Sequence, residues 1–404
     1  MISDIRNSYL KSLWKSYPKF NFPENFIFGR FEENSSLSQF QIGEFAAEHF
    51  KSHQLVAGNV LVNGDIYVAD TKQKALQLLA PCFLPQASRV NPLADRWPHF
   101  LNLVRLFFTG KNFNEMTTPT LVESSGSETH LDPFSVVYRF GSQSKTFFLP
   151  TSPEFHLKKI LAGGYNKIFE IKSCFRNGEL TQHHQPEFTM LEWYRAFSNI
   201  EVIIKDAVEL IHWLNEKLTD AKKFSQQIEI KPMTQLFQEY LHFPLKPNTS
   251  LNDLQSLASD LKIPFSGEDT WSDLFFRLFL EKIETKIGLK APIIVTDFPP
   301  AMAALARINE SGWADRFEIY WRGLEIANAY DELNDPQENK NRFVQWQKEK
   351  QSLAKSTPPI DEELIASLQS GMPPSGGIAL GLDRLFMAFF AEENIAKTRH
   401  FPLT

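Results

Sequence analysis

The chain has 404 residues, 36 of them phenylalanine, and a formal net charge of -6 at pH 7. That length suits two or three domains, or one large catalytic domain with an appendage, and the slight acidity argues against the broad basic field of a protein that holds a large nucleic acid. Cys82 and Cys174 lie far apart without a CxxC or histidine partner and read as reduced thiols. No apolar run reaches the ~18 residues of a membrane span, and MISDIRNSYLKSLWKSYPKF has no apolar stretch of a secretory signal, so a cytoplasmic protein without a membrane partner is expected.

Residues 1–90 read as a separate extension. Amphipathic stretches cover Ile5–Trp14 and Gly43–Phe50. In LVAGNVLVNGDIYVAD, Asn63-Gly64 sits between alternating apolar runs and predicts a hairpin. Gln73–Leu79 then reads as a helix. One hairpin falls short of the about five strands of an OB barrel, so the extension is not OB-like. Its acids and bases nearly cancel, which indicates no RNA-binding surface. QASRVNPLADRWP reads as a linker.

Residues 91–404 have a different character. A helix is predicted over Trp97–Thr109, then a short strand over Phe113–Thr118 ended by Pro119. Pro153–Leu161 is a helix entered through Thr151 and Ser152 as N-caps. Lys167–Phe175 and Phe188–Phe197 are strands around the polar loop RNGELTQHHQPE, hence a long antiparallel hairpin. Ile200–Leu218 is an amphipathic helix, and residues 225–285 form a mostly helical insertion. Ile293–Asp297 reads as a buried strand and Phe317–Ala329 as one long strand. Helices follow over Glu338–Leu353 and Asp361–Leu368. The strand Gly377–Leu380 runs into a helix over Asp383–Phe390. Strands joined by hairpins, with helices outside, predict an α+β fold on an antiparallel sheet.

Three segments carry chemistry. In FRNGELTQHHQPEFTMLEWYRAF, Arg176 ends one strand and His183 and His184 sit in the turn. Positions 188, 190, 192 and 194 share one face of the returning strand, so a ring, an acid and a phenol line one surface. Arg176 faces them across the hairpin, and its planar fork suits phosphate. In RFEIYWRGLEIANAYDELND, Glu318, Glu325, Asn328 and Glu332 crowd acids and an amide together. Such density is tolerated where Mg²⁺ or a substrate ammonium neutralises it. In SGGIALGLDRLFMAFF, small residues at 376, 377, 379 and 381 admit a ligand to the backbone; Asp383 starts a helix, and Arg384 at its N-terminus makes an anion site. Singly, each has a plain structural reading: a surface ion pair, a solvated strand face, a tight turn into a core helix. Together they form an ATP-plus-Mg²⁺ set without a P-loop.

FRNGELTQHHQPEFTMLEWY resembles motif 2 of class II aminoacyl-tRNA synthetases in its lysyl form. GIALGLDRL resembles motif 3, FNEMTTPTL with Pro119 resembles the dimer-forming motif 1, and GLEIANAYDELND is similar to the matching lysyl segment. The resemblance runs from Trp97 to the end. TSPEFHLKKILAGG, GSETHLDPF, MLEWYR and GGIALGLDR look closest to the elongation factor P–lysine ligases. These shortened paralogues lack the anticodon-binding OB barrel. They attach (R)-β-lysine, or lysine less well, to a lysine side chain of elongation factor P, a factor shaped like tRNA.

The resemblance implies a class II fold, a homodimer through motif 1, ATP and Mg²⁺ as cofactors, elongation factor P as acceptor, and no tRNA. It also implies roles. Arg176 would bind the α-phosphate, with Arg176 and Arg384 catalytic. His184 and Arg384 would hold the outer phosphates. Phe188 would stack on adenine, sandwiched with Arg384, while Asn177, Glu179, Ile326 and Gly381 complete the ATP site. Glu318 and Glu325 would ligate Mg²⁺. Ser152, Glu154, Glu192, Tyr194, Asn328 and Glu332 would line the amino-acid pocket. Ala379 stands where lysyl-tRNA synthetases carry Gly. Its methyl would narrow the pocket floor and favour an amino group displaced by one carbon. Gly178 and Gln185 depart from the pattern, with Glu179 beside Gly178 as the substitute acid, and residues 1–90 have no counterpart in the short ligases. Two other readings stand beside this one: lysine adenylation for another acceptor (a tRNA, a carrier protein or a small amine), and a non-catalytic paralogue.

Overall fold

In a computed structural model the chain divides into two units, Met1–Val90 and Asn91–Thr404. The structure describes residues 26–32, 35–39, 66–70 and 75–80 of the first unit as strands, and residues 91–126, 128–353 and 355–403 of the second. In the first unit β1 (Phe26–Glu32), β2 (Ser35–Gln39), β3 (Ile66–Asp70) and β4 (Ala75–Ala80) form an antiparallel sheet ordered β2-β1-β3-β4. Part of the expected helix Gln73–Leu79 is therefore strand β4: pairing with β3 overrides the local propensity. Four strands also exceed the single hairpin on which the reading against an OB barrel rested. The Asn63-Gly64 turn, the strand before it, and the stretches Ile5–Trp14 and Gly43–Phe50 lie outside the described residues.

In the second unit the expected linker is already structured from Pro92. A 3₁₀ turn over Pro92–Arg96 runs into α1 (Trp97–Gly110). The strand expected over Phe113–Thr118 shrinks to β5 (Asn114–Glu115), parallel to a later strand. Beyond it Met116 N–H still donates to the Phe169 carbonyl at 2.7 Å, and Thr118 N–H turns to the Glu170 carboxylate at 2.9 Å. A hairpin absent from the sequence reading follows, β6 (Ser135–Phe140) and β7 (Gln143–Phe148). Its residues are mostly exposed and carry no clean alternation. Next comes α2 (Glu154–Ala162); its N-cap position is Pro153, and Ser152 Oγ accepts the Glu154 N–H at 3.0 Å from just outside.

The long hairpin is present as β8 (Lys167–Phe175) and β9 (Glu187–Ala196), followed by α3 (Ile200–Lys217). The insertion begins with β10 (Glu229–Pro232) and continues as α4 (Met233–Leu241), α5 (Leu251–Asp260) and α6 (Trp271–Lys282). Then comes β11 (Ile293–Phe298). The single strand expected over Phe317–Ala329 is a hairpin, β12 (Ala314–Trp321) and β13 (Leu324–Asp331). Arg322 and Gly323 turn it, with φ of 54° and 73°, the left-handed pair that a two-residue hairpin needs. Last are α7 (Pro336–Ser352), α8 (Glu362–Gly371), β14 (Ser375–Gly381) and α9 (Leu382–Phe390).

The main sheet has eight strands in the order β10-β11-β12-β13-β14-β9-β8-β5. It is antiparallel except at its two edge pairs. The two-residue strand period sorts its side chains onto two cores. Phe169, Leu191, Trp193, Phe317 and Ile378 face one core, shared with α1, α3 and α9. Ile168, Tyr194, Tyr320 and Tyr330 face the other, shared with α2, α4–α6 and α8. The α+β antiparallel expectation holds, and the candidate site opens on the Tyr194 face.

Candidate active site

Strand register builds the site floor. Glu192 on β9 pairs with Ala379 on β14, Ala379 with Asn328 on β13, and Asn328 with Glu318 on β12. Directly paired residues share a face, with Cβ atoms about 5 Å apart. The Ala379 methyl therefore stands between the Glu192 carboxylate and the Asn328 amide. The neighbouring row runs from Tyr194 through Gly377 to Tyr330 and Arg316. A Cβ at Gly377 would overlap both the Tyr194 ring and Glu332 Oε1, so only glycine leaves those two groups in place.

These rows floor a cavity of about 280 Å³. Every site residue expected from the sequence lines it except Asn177 and Glu318. Asn177 turns away to Asp132, its Nδ2 donating to Oδ2 at 2.8 Å. Glu318 lies behind the wall. Arg316 and the Tyr320 hydroxyl each donate to one of its oxygens.

At the Glu192 end the chemistry is acidic and dry. Glu192 is fully buried; Tyr194 OH donates to its Oε2 at 3.0 Å, and its Oε1 is buried without a partner. Burial, and after it the Glu154 charge, push the Glu192 carboxyl well above the usual range. The sequence reading missed Lys158, which is 2% exposed. Its Nζ lies 2.6 Å from Glu154 Oε1 and 2.6 Å from Glu332 Oε2. Burial alone would lower this ammonium's pKa, but the two carboxylates outweigh it and raise it. One turn of α2 separates Glu154 from Lys158, a spacing visible in the sequence. Its contact with Glu332 is not. Arg316, also missed, donates through Nε to Asn328 Oδ1 at 3.1 Å and lies 4.6 Å from the Phe298 ring centre. Asn328 Nδ2 in turn donates to Tyr330 OH at 2.8 Å.

At the other end two arginines face the cavity. The Arg176 guanidinium lies over the Phe188 ring, 4.9 Å from its centre, with Nε buried and unpartnered. Arg384, in the first turn of α9, donates through Nη1 to the Glu325 carbonyl at 2.8 Å and through Nη2 to His184 Nε2 at 2.5 Å. Burial, and then Arg384 and Arg176, lower the His184 pKa to about 4, so the ring is neutral at pH 7. Arg is only a donor, so Nε2 accepts and Nδ1 carries the proton. That proton goes to Thr181 Oγ1, 2.8 Å away. His184 thus aims Arg384.

Asp383 ties three segments together. It accepts the Thr189 N–H at 2.6 Å from β9, and Arg399 Nε at 2.8 Å from the C-terminal segment. That segment crosses the motif 2 loop: Ile395 N–H donates to Gln182 O at 2.9 Å, and Gln185 Nε2 to Leu403 O at 3.4 Å. The unusual glutamine at 185 therefore reaches a carbonyl of the C-terminal segment.

The donors fit a hard cation only in part. Glu325 lines the cavity. Glu284, just after α6, is raised to about 7 by burial and then by the Glu325 and Glu318 charges, and burial likewise raises Glu318 against its bond from Arg316. Among the described residues no three His, Cys, Asp or Glu side chains form a metal cage. Each Glu318 oxygen keeps a second lone pair. The set suits a Mg²⁺ shared with phosphate oxygens, the usual way this ion is bound, and not an all-protein cage.

The family profile described as tRNA synthetases class II (D, K and N) matches residues 93–404. The chain belongs to this family. Membership implies the use of ATP. The chain is similar to the elongation factor P–(R)-β-lysine ligase of Haemophilus influenzae, 39% identical over 291 residues, which cover 70% of this chain and 86% of the relative. It is similar to the ligase of the same name from Histophilus somni, 36% identical over 79% of this chain and 97% of the relative. The Buchnera aphidicola ligase is 35% identical over 76% and 93%. Among the described residues no helix is long and apolar enough to cross a membrane.

Proposed function

We propose that the chain activates (R)-β-lysine, or lysine, with ATP and transfers it to a lysine side chain of elongation factor P. The observation that carries this reading is the Glu192–Ala379–Asn328 row: a buried carboxylate with a bare oxygen, floored by a methyl, at one end of a cavity whose other end holds Arg176 and Arg384. An acid-lined pocket selects an amino acid with two ammonium groups. The relatives' printed names supply the acceptor.

In the first step a substrate carboxylate oxygen attacks the α-phosphorus of ATP, and pyrophosphate leaves with the P–O bond electrons. The attacking group is already an anion, so no base is needed. This chain's part is alignment and charge stabilisation. Arg176 would face the α-phosphate and Phe188 the adenine. Arg384, aimed by His184, would face the outer phosphates. Glu325, with Glu318 behind it, would hold Mg²⁺, which neutralises phosphate charge when bound. In the second step the acceptor amine attacks the aminoacyl carbonyl carbon, AMP leaves, and the amine nitrogen gives up one proton. A homodimer through the Pro119 segment belongs to this reading, as does the absence of a tRNA acceptor. The test is exchange of labelled pyrophosphate into ATP, dependent on (R)-β-lysine or lysine, followed by transfer to elongation factor P measured against transfer to tRNA.

A further inference from the structure

The cavity's carboxylates do not all have partners. Glu154 and Glu332 share the Lys158 ammonium at 2.6 Å each. Glu179 Oε2 lies 3.9 Å from Arg176, and Glu325 Oε2 lies 4.0 Å from Arg384. Two acids remain. Glu192 keeps one buried oxygen bare. Glu128, half-buried on the segment between β5 and β6, lines the cavity. Among the described residues its carboxylate makes neither an ion pair nor a hydrogen bond; only unbonded charges act on it. Burial, and then the Glu154 charge, raise its pKa, the mark of an acid without its counter-ion.

The segment that carries Glu128 is pinned. Leu131 N–H donates to the Glu128 carbonyl at 3.2 Å. Thr129 Oγ1 donates to Glu349 at 2.5 Å, and the Lys350 ammonium to the Leu131 carbonyl at 2.7 Å. A side chain that merely filled a surface loop would not need a backbone fixed from α7. The two unanswered acids also differ in their neighbours. The turn that follows Glu128 is bonded to the residue beside Arg176: Asn177 N–H donates to the Asp132 carbonyl at 2.8 Å and its Nδ2 to Asp132 Oδ2 at 2.8 Å, whereas Glu192 stands opposite Ala379 within the sheet. Glu128 is therefore placed toward the Arg176 end, where the substrate carboxylate would meet ATP, and Glu192 toward the far end.

We infer that Glu128 binds the substrate amino group nearer the reacting carboxylate, leaving the far ammonium to Glu192 and Tyr194. This rests on the adenylation reading above and adds a specificity determinant to it. The near amino group is the one whose position separates lysine from β-lysine, so the acid that meets it bears on that choice.

The test removes the charge from each partner in turn. Pyrophosphate exchange is measured for the full chain and for Glu128→Gln with (R)-β-lysine and with lysine. 6-Aminohexanoate, which lacks the near amino group, is measured as a substrate or, if it does not react, as an inhibitor of the exchange. In Glu128→Gln the KM for both diamino acids is expected to rise about 10- to 100-fold, the range for a charge-assisted hydrogen bond. The KM for ATP and the affinity for 6-aminohexanoate should change less than about twofold, because neither meets this carboxylate. An equal loss for 6-aminohexanoate, or an unchanged KM for the diamino acids, would overturn the inference. Glu128→Asp serves as the second variant should the glutamine protein fold poorly. No exchange by the unaltered protein with any amino acid would instead overturn the adenylation reading, and this inference with it.

Discussion

Lys158→Met keeps the side-chain stem and removes one ammonium. In the native protein that ammonium lies 2.6 Å from Glu154 Oε1 and 2.6 Å from Glu332 Oε2, with Lys158 and Glu332 only 2% and 1% exposed. The variant would leave two carboxylates side by side in a dry pocket. Breaking a buried pair in this way costs about 3–5 kcal/mol. At about 2–4 °C per kcal/mol for a domain of this class, Tm should fall by roughly 6–20 °C at pH 8. Glu332 already sits above the usual carboxylate range through burial. A carboxyl with a raised pKa is charged above that pKa and neutral below it. The penalty should therefore shrink as pH falls, and the Tm gap should be smaller at pH 5.5 than at pH 8. Removing one of the stranded charges should also help, so the double variant Lys158→Met, Glu332→Gln should recover part of the loss. Thermal unfolding of the parent, both single variants and the double variant at the two pH values checks this. A fall below about 2 °C at pH 8, or a double variant no more stable than Lys158→Met, would show that the ammonium does not hold the pocket together.

Ala379→Gly removes the methyl between Glu192 and Asn328. A single methyl-sized group in a pocket is worth about 1–3 kcal/mol of discrimination. The ratio of kcat/KM for (R)-β-lysine to that for lysine should therefore fall about tenfold or more, and an unchanged ratio would remove Ala379 from the specificity argument. The His184 ring should titrate near its lowered value of about 4. A histidine with a folded pKa below its unfolded value costs stability only as pH drops from about 6.5 toward that lower value. The Arg384 contact should thus persist at pH 6. An NMR titration of the ring that gave a midpoint of 6 or above would contradict this.

The sequence made the sheet's central strands legible because they obey simple rules. Glu187–Ala196 alternates its faces, and its even positions, Phe188 to Tyr194, do line the cavity. The Phe317–Ala329 error had a local cause. Apolar residues on both sides of Arg322-Gly323 hid a turn that needs two positive φ values, and the glycine was the one signal available. The β6–β7 ribbon left no pattern because few of its side chains are buried. In the site, residue types that bond along one strand or turn were readable. Lys158, Arg316 and Asp383 were not, since each acts through partners distant in the chain: Glu332, Met302 and Asn328, and Arg399 and Thr189. Glu318 was readable only as one of several crowded acids. Its enclosure by Arg316 and Tyr320 needed the fold.

Everything proposed for the cavity depends on adenylation of a diamino acid for a protein acceptor. The most direct test follows labelled (R)-β-lysine in one tube with ATP, Mg²⁺, elongation factor P and tRNA. Amino-acid-dependent pyrophosphate exchange, with label on elongation factor P alone, is expected. Label on tRNA, or no exchange with either lysine isomer, would contradict it.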